Sequence, residues 1–416
     1  MFFIYSFIYT LVIFVLFIPQ YLKRPKELRG KWVREKFGVL PEMSDSLWVH
    51  AVSVGEVNAA IQLLRRLREK YPDTPIILST ITDTGQKVAS AKVPEGVSVV
   101  YLPFDINWIL KRSFERVNPM LLIVIETELW PNIFRFSYKR NIPVIILNGR
   151  ISEKSSQGYK KISFFMKKVL SCVSEFSMQS DLDAERLKAI GADKKRVKVA
   201  GNFKFDMEFS GEMPAWTSAV KGPVIVAGST HKGEEELILA AYLENLRRFP
   251  DLMLILAPRH PERFNEVADL LRTKKISFVR RSELAARDLA EGAFAEKVLL
   301  LDTIGELSFV YRIADIAVIG KSFTGTGGQN PLEPAYWGKP ILCGPHMENF
   351  PFIREFYDEG AAFEVQPSSL AEKLGHFLAQ PDIARAAGER ARRLYESKSG
   401  AVGKAMEAIE KYVHKG

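Results

Sequence analysis

A chain of 416 residues exceeds one ordinary hydrophobic core and predicts two or three domains, and 47% hydrophobic residues predict a folded protein throughout. Its net charge of +9 is not gathered into one long basic run and fits an anionic substrate or an anionic membrane surface at least as well as nucleic acid. No zinc-finger spacing, basic zipper or RNA-binding aromatic motif is present, so no nucleic-acid partner is expected, and two distant cysteines, Cys172 and Cys343, exclude a disulfide framework and a CxxC redox pair.

Residues 2–18 form an uncharged apolar and aromatic run ending at Pro19, long enough to span a bilayer or to lie deep in one leaflet. The run lacks the basic start and cleavage site of a signal peptide, so 1–22 is read as a membrane anchor. The membrane-proximal segment 23–45 carries Lys23, Arg24, Lys26, Arg29, Lys31, Arg34 and Lys36 against Glu27 and Glu35. By the positive-inside rule this cluster holds the following globular part on the cytoplasmic side.

Strand-like runs at 47–52, 76–80, 97–102, 121–125, 144–147 and 175–179 alternate with amphipathic helical stretches, which predicts a parallel sheet covered on both faces in a domain over 46–206. In such a sheet ligands meet the loops leaving the carboxyl ends of the strands. Those loops hold Ser53-Val54-Gly55-Glu56, Thr82-Asp83-Thr84-Gly85, Glu126-Thr127-Glu128-Leu129-Trp130-Pro131-Asn132 and Asn148-Gly149-Arg150. Glu56 is the first candidate for chemistry, although a glutamate in a first helical turn also serves as a cap or favours the helix dipole.

The alternation lapses over 207–222, read as a linker through Gly211, Pro214 and Gly222, and resumes in a second domain over 223–400. Strands are expected there at 224–227, 252–256, 276–279, 298–301, 316–319 and 341–343. The stretch 382–413 is helical in pattern, and 401–416 is expected to pack back on the first domain. After the domain's first strand, free N–H groups with Ser229, Thr230 and Lys232 suit a phosphate, or Ser229 and Thr230 merely cap a helix. Arg259 in Pro258-Arg259-His260-Pro261 suits an anion or a surface ion pair. Gly320-Lys321-Ser322 imitates the end of a P-loop but Asp315 stands where its first glycine is needed, and Gly325-Thr326-Gly327 fails as a dinucleotide fingerprint at Asn330. There remains a glycine-rich turn through Gly327, Gly328, Gln329 and Asn330, then a helix whose first turn carries Glu333, a carboxylate suited to a ribose diol. The turn holding Gly305 and Glu306 offers backbone groups to a base. No HExxH, cysteine cluster or aspartate-rich motif is present, so neither a metal nor another cofactor is expected.

The anchor, His50-Ala51-Val52-Ser53-Val54-Gly55-Glu56, the Glu126–Asn132 stretch, Gly228-Ser229-Thr230-His231, Pro258-Arg259-His260-Pro261 and Gly327-Gly328-Gln329-Asn330-Pro331-Leu332-Glu333-Pro334 together resemble the 3-deoxy-D-manno-octulosonic acid (Kdo) transferases of lipopolysaccharide synthesis, in order along nearly the whole chain. The resemblance implies a GT-B glycosyltransferase, α/β in class, with two Rossmann-like domains, a cleft between them and an N-terminal membrane anchor helix. It implies an inverting, metal-independent transfer of Kdo from CMP-Kdo to the 6′-hydroxyl of a phosphorylated lipid A precursor, lipid IVA, at the cytoplasmic leaflet of the bacterial inner membrane. By the same resemblance Glu56 is the general base, Glu126 and Glu128 position donor or acceptor, and Ser53, Gly55 and Arg150 line the acceptor side. Ser229, His231, Arg259, Gly305, Glu306, Gly327, Gly328, Gln329, Asn330 and Glu333 fall to the donor side.

The family usually reads Gly-Gly-His-Asn where this chain has Gly327-Gly328-Gln329-Asn330. Glutamine still donates a hydrogen bond to a phosphate or a sugar carboxylate, so activity is expected to be retained. Two other enzymes compete with this reading: a GT-B transferase using UDP-GlcNAc, and a serine hydrolase built on the elbow-like Ala51-Val52-Ser53-Val54-Gly55. A membrane-tethered nucleotide-binding scaffold is the non-enzymatic alternative.

Overall fold

The computed structural model describes residues 1–207, 212–284 and 297–413. The chain divides into two compact units, Met1–Met207 with Lys398–Gly416, and Glu208–Ser397.

Unit 1 is built on a seven-stranded, all-parallel sheet in the order β3-β2-β1-β4-β5-β6-β7. Its strands are β1 (Ser46–His50), β2 (Ile76–Thr80), β3 (Val97–Tyr101), β4 (Pro119–Ile125), β5 (Val144–Gly149), β6 (Glu175–Met178) and β7 (Val197–Val199). The central strands are buried on both faces, as an unbroken run such as Leu121-Leu122-Ile123-Val124-Ile125 requires. One face packs against helices that include α3 (Val54–Lys70) and Ala401–Glu410, the other against helices that include Asn107–Val117 and Pro131–Lys139. The helical stretch at the C-terminus is two helices. Gly400, at φ +100°, breaks it, and the Asp206 carboxylate accepts from the Gly400 and Val402 N–H groups. Residues 414–416 of the expected terminal segment lie outside the described residues.

Helix α1 (Phe2–Lys23) is long and apolar enough to cross a membrane, yet one of its faces lies along unit 1. Phe2, Tyr9, Ile13, Phe17 and Tyr21, at helical spacing, pack on buried residues that include Trp32, Tyr101 and Phe104. The Tyr5 hydroxyl donates to Asp105 Oδ2 at 2.8 Å, and the same carboxylate accepts from the Asn132 and Ile133 N–H groups. The other face, including Phe3, Phe7, Leu11, Phe14, Val15 and Ile18, is exposed. The basic segment behind it is only partly turned outward. It forms α2 (Lys26–Lys36), where Arg24 pairs with Asp83, Arg29 donates to the Leu22 and Arg24 carbonyls, Lys31 pairs with Glu35 and Lys36 is buried. Lys23, Lys26 and Arg34 remain as exposed cations.

Unit 2 repeats the architecture with an all-parallel sheet ordered β10-β11-β9-β8-β12-β13-β14. The strands are β8 (Val224–Thr230), β9 (Met253–Pro258), β10 (Val279–Arg280), β11 (Val298–Leu300), β12 (Ile316–Ile319), β13 (Ile341–Cys343) and β14 (Ala362–Glu364). Three expectations are corrected. The strand read at 276–279 begins only at Val279, because Ile276 N–H bonds back to Leu271 O and closes the preceding helix. The edge strands β7 and β14, three residues each, carried too short a signal to be read. The linker is folded where described: Ala215–Ala219 forms a turn of 3-10 helix and Trp216 is buried in the core of unit 2, while Gly211 lies outside the described residues.

Candidate active site

In unit 1 the strand order reverses between β1 and β4, so the loops leaving these neighbours diverge to opposite faces and open a crevice. The β1 loop turns at Ser53 into α3 and buries Glu56 in the first helical turn. Glu56 Oε2 accepts from the Val52 N–H at 2.7 Å and Oε1 accepts from the Ser53 hydroxyl at 3.0 Å, so the capping role is real. Those bonds favour the carboxylate, but burial, with Glu126 and Glu128 nearby, outweighs them and pushes Glu56 up to about 7.

The β4 loop supplies the other two carboxylates. Glu126 holds a left-handed backbone, φ +60°, that a non-glycine residue adopts only where its surroundings impose it. Burial raises Glu126 while the Lys204 and Arg150 charges oppose the rise; burial and Glu126 raise Glu128. Arg150 is exposed after β5 with its N–H bonded to Thr127 Oγ1, and Gly55 is exposed on α3. Lys204, from a stretch read only as a boundary, was missed; its sequence signal is a lysine between two phenylalanines at the lapse in the strand–helix pattern. The Ser53 hydroxyl donates to Glu56, and the nearby His50 bonds Ser79 through Nδ1, so among the described residues no histidine is paired with Ser53 as the base a hydrolase nucleophile needs.

Unit 2 has its own reversal between β8 and β12. The β8 exit bends at Ser229, φ +56°, and two glycines permit close approaches there, Gly228 to Tyr311 and Gly320 to the Ser229 backbone. A Cβ on Gly228 would stand 1.8 Å from the Tyr311 hydroxyl, and one on Gly320 2.2 Å from the Ser229 carbonyl. His231 Nδ1 lies 3.1 Å from Ser229 O, and its ring meets that of His260 edge-on at 5.3 Å. Burial lowers the His231 pKa, which keeps it neutral.

Of the turn read as a phosphate cradle or a helix cap, the His231 N–H and the Thr230 hydroxyl are engaged within the fold, together with N–H groups of the loop after β12. Glu234, fully buried, accepts from the N–H groups of His231, Lys321, Ser322 and Phe323 at 2.6 to 2.9 Å, and Thr230 donates to Glu235. These N–H groups already hold an internal anion.

The donor-side candidates that remain are Ser229, His231, Arg259, the glycine turn and Glu333. Gly327 and Gly328 lie at φ +100° and +67°, and the Gly327 N–H donates to Glu348 at 2.6 Å. Asn330 Oδ1 accepts from the Leu332 N–H at 3.1 Å at the start of the helix Leu332–Tyr336, and Gln329 is half-buried beside it. Burial pushes Glu333 up to about 7 against the Asn330 hydrogen bond and the Arg259 charge. Arg259 therefore reaches the field of Glu333 from the end of β9, although its side chain is exposed. Gly305, φ +95°, has open space where a Cβ would be. Glu306 is held bidentate by Arg281 at 2.8 to 3.2 Å and by Thr303 at 2.7 Å, so its carboxylate is already partnered.

The family model for 3-deoxy-D-manno-octulosonic-acid transferase matches residues 31–207. The Kdo transferase of Haemophilus influenzae is 37% identical over 80% of this chain and 78% of its own length, and that of Aquifex aeolicus 32% identical over 82% and 88%. The chain belongs to the Kdo transferase family. Likeness to solved structures supports the fold alone. UDP-GlcNAc 2-epimerase of Neisseria meningitidis aligns at TM-score 0.56 and 12% identity over 88% of this chain and all of its own, and a Rickettsia africae glycosyltransferase at 0.54 and 13% over 90% and all of its own. Both pair with this chain as GT-B-like, α/β proteins.

For this Kdo transferase family member, Glu234→Ala would strip four backbone donors of their acceptor. At roughly 1 to 3 kcal/mol for each buried group left unpaired, urea unfolding should show at least about 4 kcal/mol lost, and calorimetry should show CMP affinity falling with it. Unchanged stability would mean that water replaces the carboxylate without cost.

Proposed function

We propose that the chain transfers Kdo from CMP-Kdo to the 6′-hydroxyl of lipid IVA, a phosphorylated lipid A precursor, with inversion and with Glu56 as the general base. The observation that carries the reading is a glutamate at the sheet's reversal whose pKa is pushed up to about 7, where a carboxylate removes a proton efficiently near neutrality. Glu56 takes the proton of the acceptor hydroxyl as that oxygen attacks the anomeric carbon. The bond from that carbon to the phosphate oxygen breaks on the opposite face, and its electron pair leaves with CMP. Glu333 accepts hydrogen bonds from the ribose hydroxyls, and Arg259 with Ser229 and Gln329 meets the charge of the departing phosphate. This scheme needs no metal. Burial, with Glu126 and Glu128 beside it, holds the Glu56 pKa high, and Arg150 with Lys204 faces the anionic substrates. A UDP-GlcNAc donor is the second reading, favoured only by the shared fold of an epimerase that binds it.

We place this chemistry at the cytoplasmic leaflet of the bacterial inner membrane. Because α1 lies along unit 1 for its whole length, about 33 Å at 1.5 Å per residue, it enters the leaflet sideways, exposed face first, with Lys23, Lys26 and Arg34 at the headgroups.

Transfer from CMP-Kdo generated in situ to tetraacylated lipid IVA tests the reaction. Wild type should yield product and the folded Glu56→Ala variant about a hundredfold to ten-thousandfold less. Only the deprotonated base is active, so kcat should rise with pH through about 7. Comparable rates from both proteins would remove Glu56 as base, and preference for UDP-GlcNAc in donor competition would replace the donor. Quenching of a probe at Leu11 by brominated lipids should report a shallow position; a position at the bilayer centre would contradict the sideways anchor.

A further inference from the structure

A second polar cluster stands near the ends of β1 and β4 and takes no part in the proton transfer. Lys36, the last residue of α2, is 6% exposed and lies 5.2 Å from the Phe104 ring. Its ammonium has no hydrogen-bond or ion-pair partner among the described residues. The carboxylates nearby are engaged elsewhere: Asp83 with Arg24 and the Tyr101 hydroxyl, Glu35 with Lys31 and the Tyr101 N–H. A buried cation without a partner is costly, and burial pulls Lys36 down to about 7.

Two more unpartnered atoms stand beside it. His50, 1% exposed, sits at the end of β1 with Nδ1 3.1 Å from the Ser79 carbonyl. Nδ1 also lies 3.0 Å from the Ser79 hydroxyl, and the buried Nε2 has no hydrogen-bond partner among the described residues. The Lys36 charge is felt at this ring. Trp130, 6.2 Å from His50 between ring centres, buries its Nε1 donor equally unmatched, and its half-exposed ring follows Glu128 by two residues.

We propose that Lys36, Trp130 and His50 form a phosphate-monoester subsite for the acceptor. An ammonium and an indole N–H call for anionic oxygens, and the imidazole Nε2, donor or acceptor according to its tautomer, is met by a phosphate oxygen or a phosphate hydroxyl. A phosphate monoester presents three terminal oxygens to these three groups, where a carboxylate has two and water lacks the charge. The Lys36 side of the subsite lies toward the C-terminal end of α1, where Arg24 stacks 4.3 Å over Trp32, and Trp130 is two residues from Asn132, which bonds Ser6 of α1, so a ligand with acyl chains on the exposed face of α1 would bring its headgroup here. The proposal rests on the reading of the acceptor as a phosphorylated lipid.

Calorimetry on the full chain with a deacylated glucosamine disaccharide bisphosphate and its dephosphorylated counterpart tests it. Wild type should bind the bisphosphate about tenfold or more tightly than the bare sugar, a difference typical of charge-assisted contacts. Lys36→Met should erase the preference, Lys36→Arg should keep most of it, and Trp130→Phe should reduce it. Equal binding of the bare sugar by all four proteins shows the fold intact. A preference that survives Lys36→Met, or is absent from wild type, overturns the subsite. Absent Kdo transfer with the phosphate preference intact counts against the proposed reaction instead.

Discussion

In each unit the strand order reverses beside the first strand, at β1 and β4 in one and at β8 and β12 in the other. This follows from covering both faces of a parallel sheet with right-handed crossovers: the chain winds outward in one direction, returns to the centre and winds outward in the other. Where the two directions part, the loops leave a crevice lined by helix N-termini and backbone N–H groups. Most of the polar residues singled out for chemistry are consequences of that geometry. Glu56, Glu126 and Glu128 lie on the loops at one reversal, and Ser229, His231, Gln329 and Asn330 on those at the other.

The same electropositive setting gives different results according to what fills it. At the β8 exit, Glu234 takes four N–H donors and acts as a built-in anion that shapes the loop. At the β1 exit, Glu56 takes one backbone N–H and one hydroxyl, while two further glutamates and burial work against its charge. A carboxylate with many donors is a structural anion; one with few donors and like-charged neighbours is primed to take a proton. Capping and the proposed catalysis are therefore compatible at Glu56, since the cap fixes the side chain while burial, joined by the two neighbours, raises its basicity.

Strand–helix alternation was legible because fully buried parallel strands are short, continuous apolar runs, as at 76–80 and 316–319. Edge strands such as Val197-Lys198-Val199 escaped because one partner and partial exposure relax that demand. The loops carrying Glu56, Glu126 and Glu333 were legible because ligand loops follow strand ends. How donors are shared out was not. Whether Thr230 serves a ligand or Glu235, and whether Glu306 is free or clamped by Arg281, depends on residues brought from elsewhere in the sequence. Lys36 looked like one more cation in a basic run, and only its burial in α2 against Phe104 distinguishes it from Lys23 and Lys26.

The most direct test of the central claim is the titration of the Glu56 carboxyl itself, followed by carbon-13 NMR of labelled glutamate and assigned with Glu56→Gln. A midpoint near 7 that moves down, while staying above the ordinary carboxylate range, in Glu126→Gln and Glu128→Gln variants is the result this account predicts. A midpoint already in the ordinary range in wild type, indifferent to both neighbours, would leave Glu56 as a helix cap and contradict it.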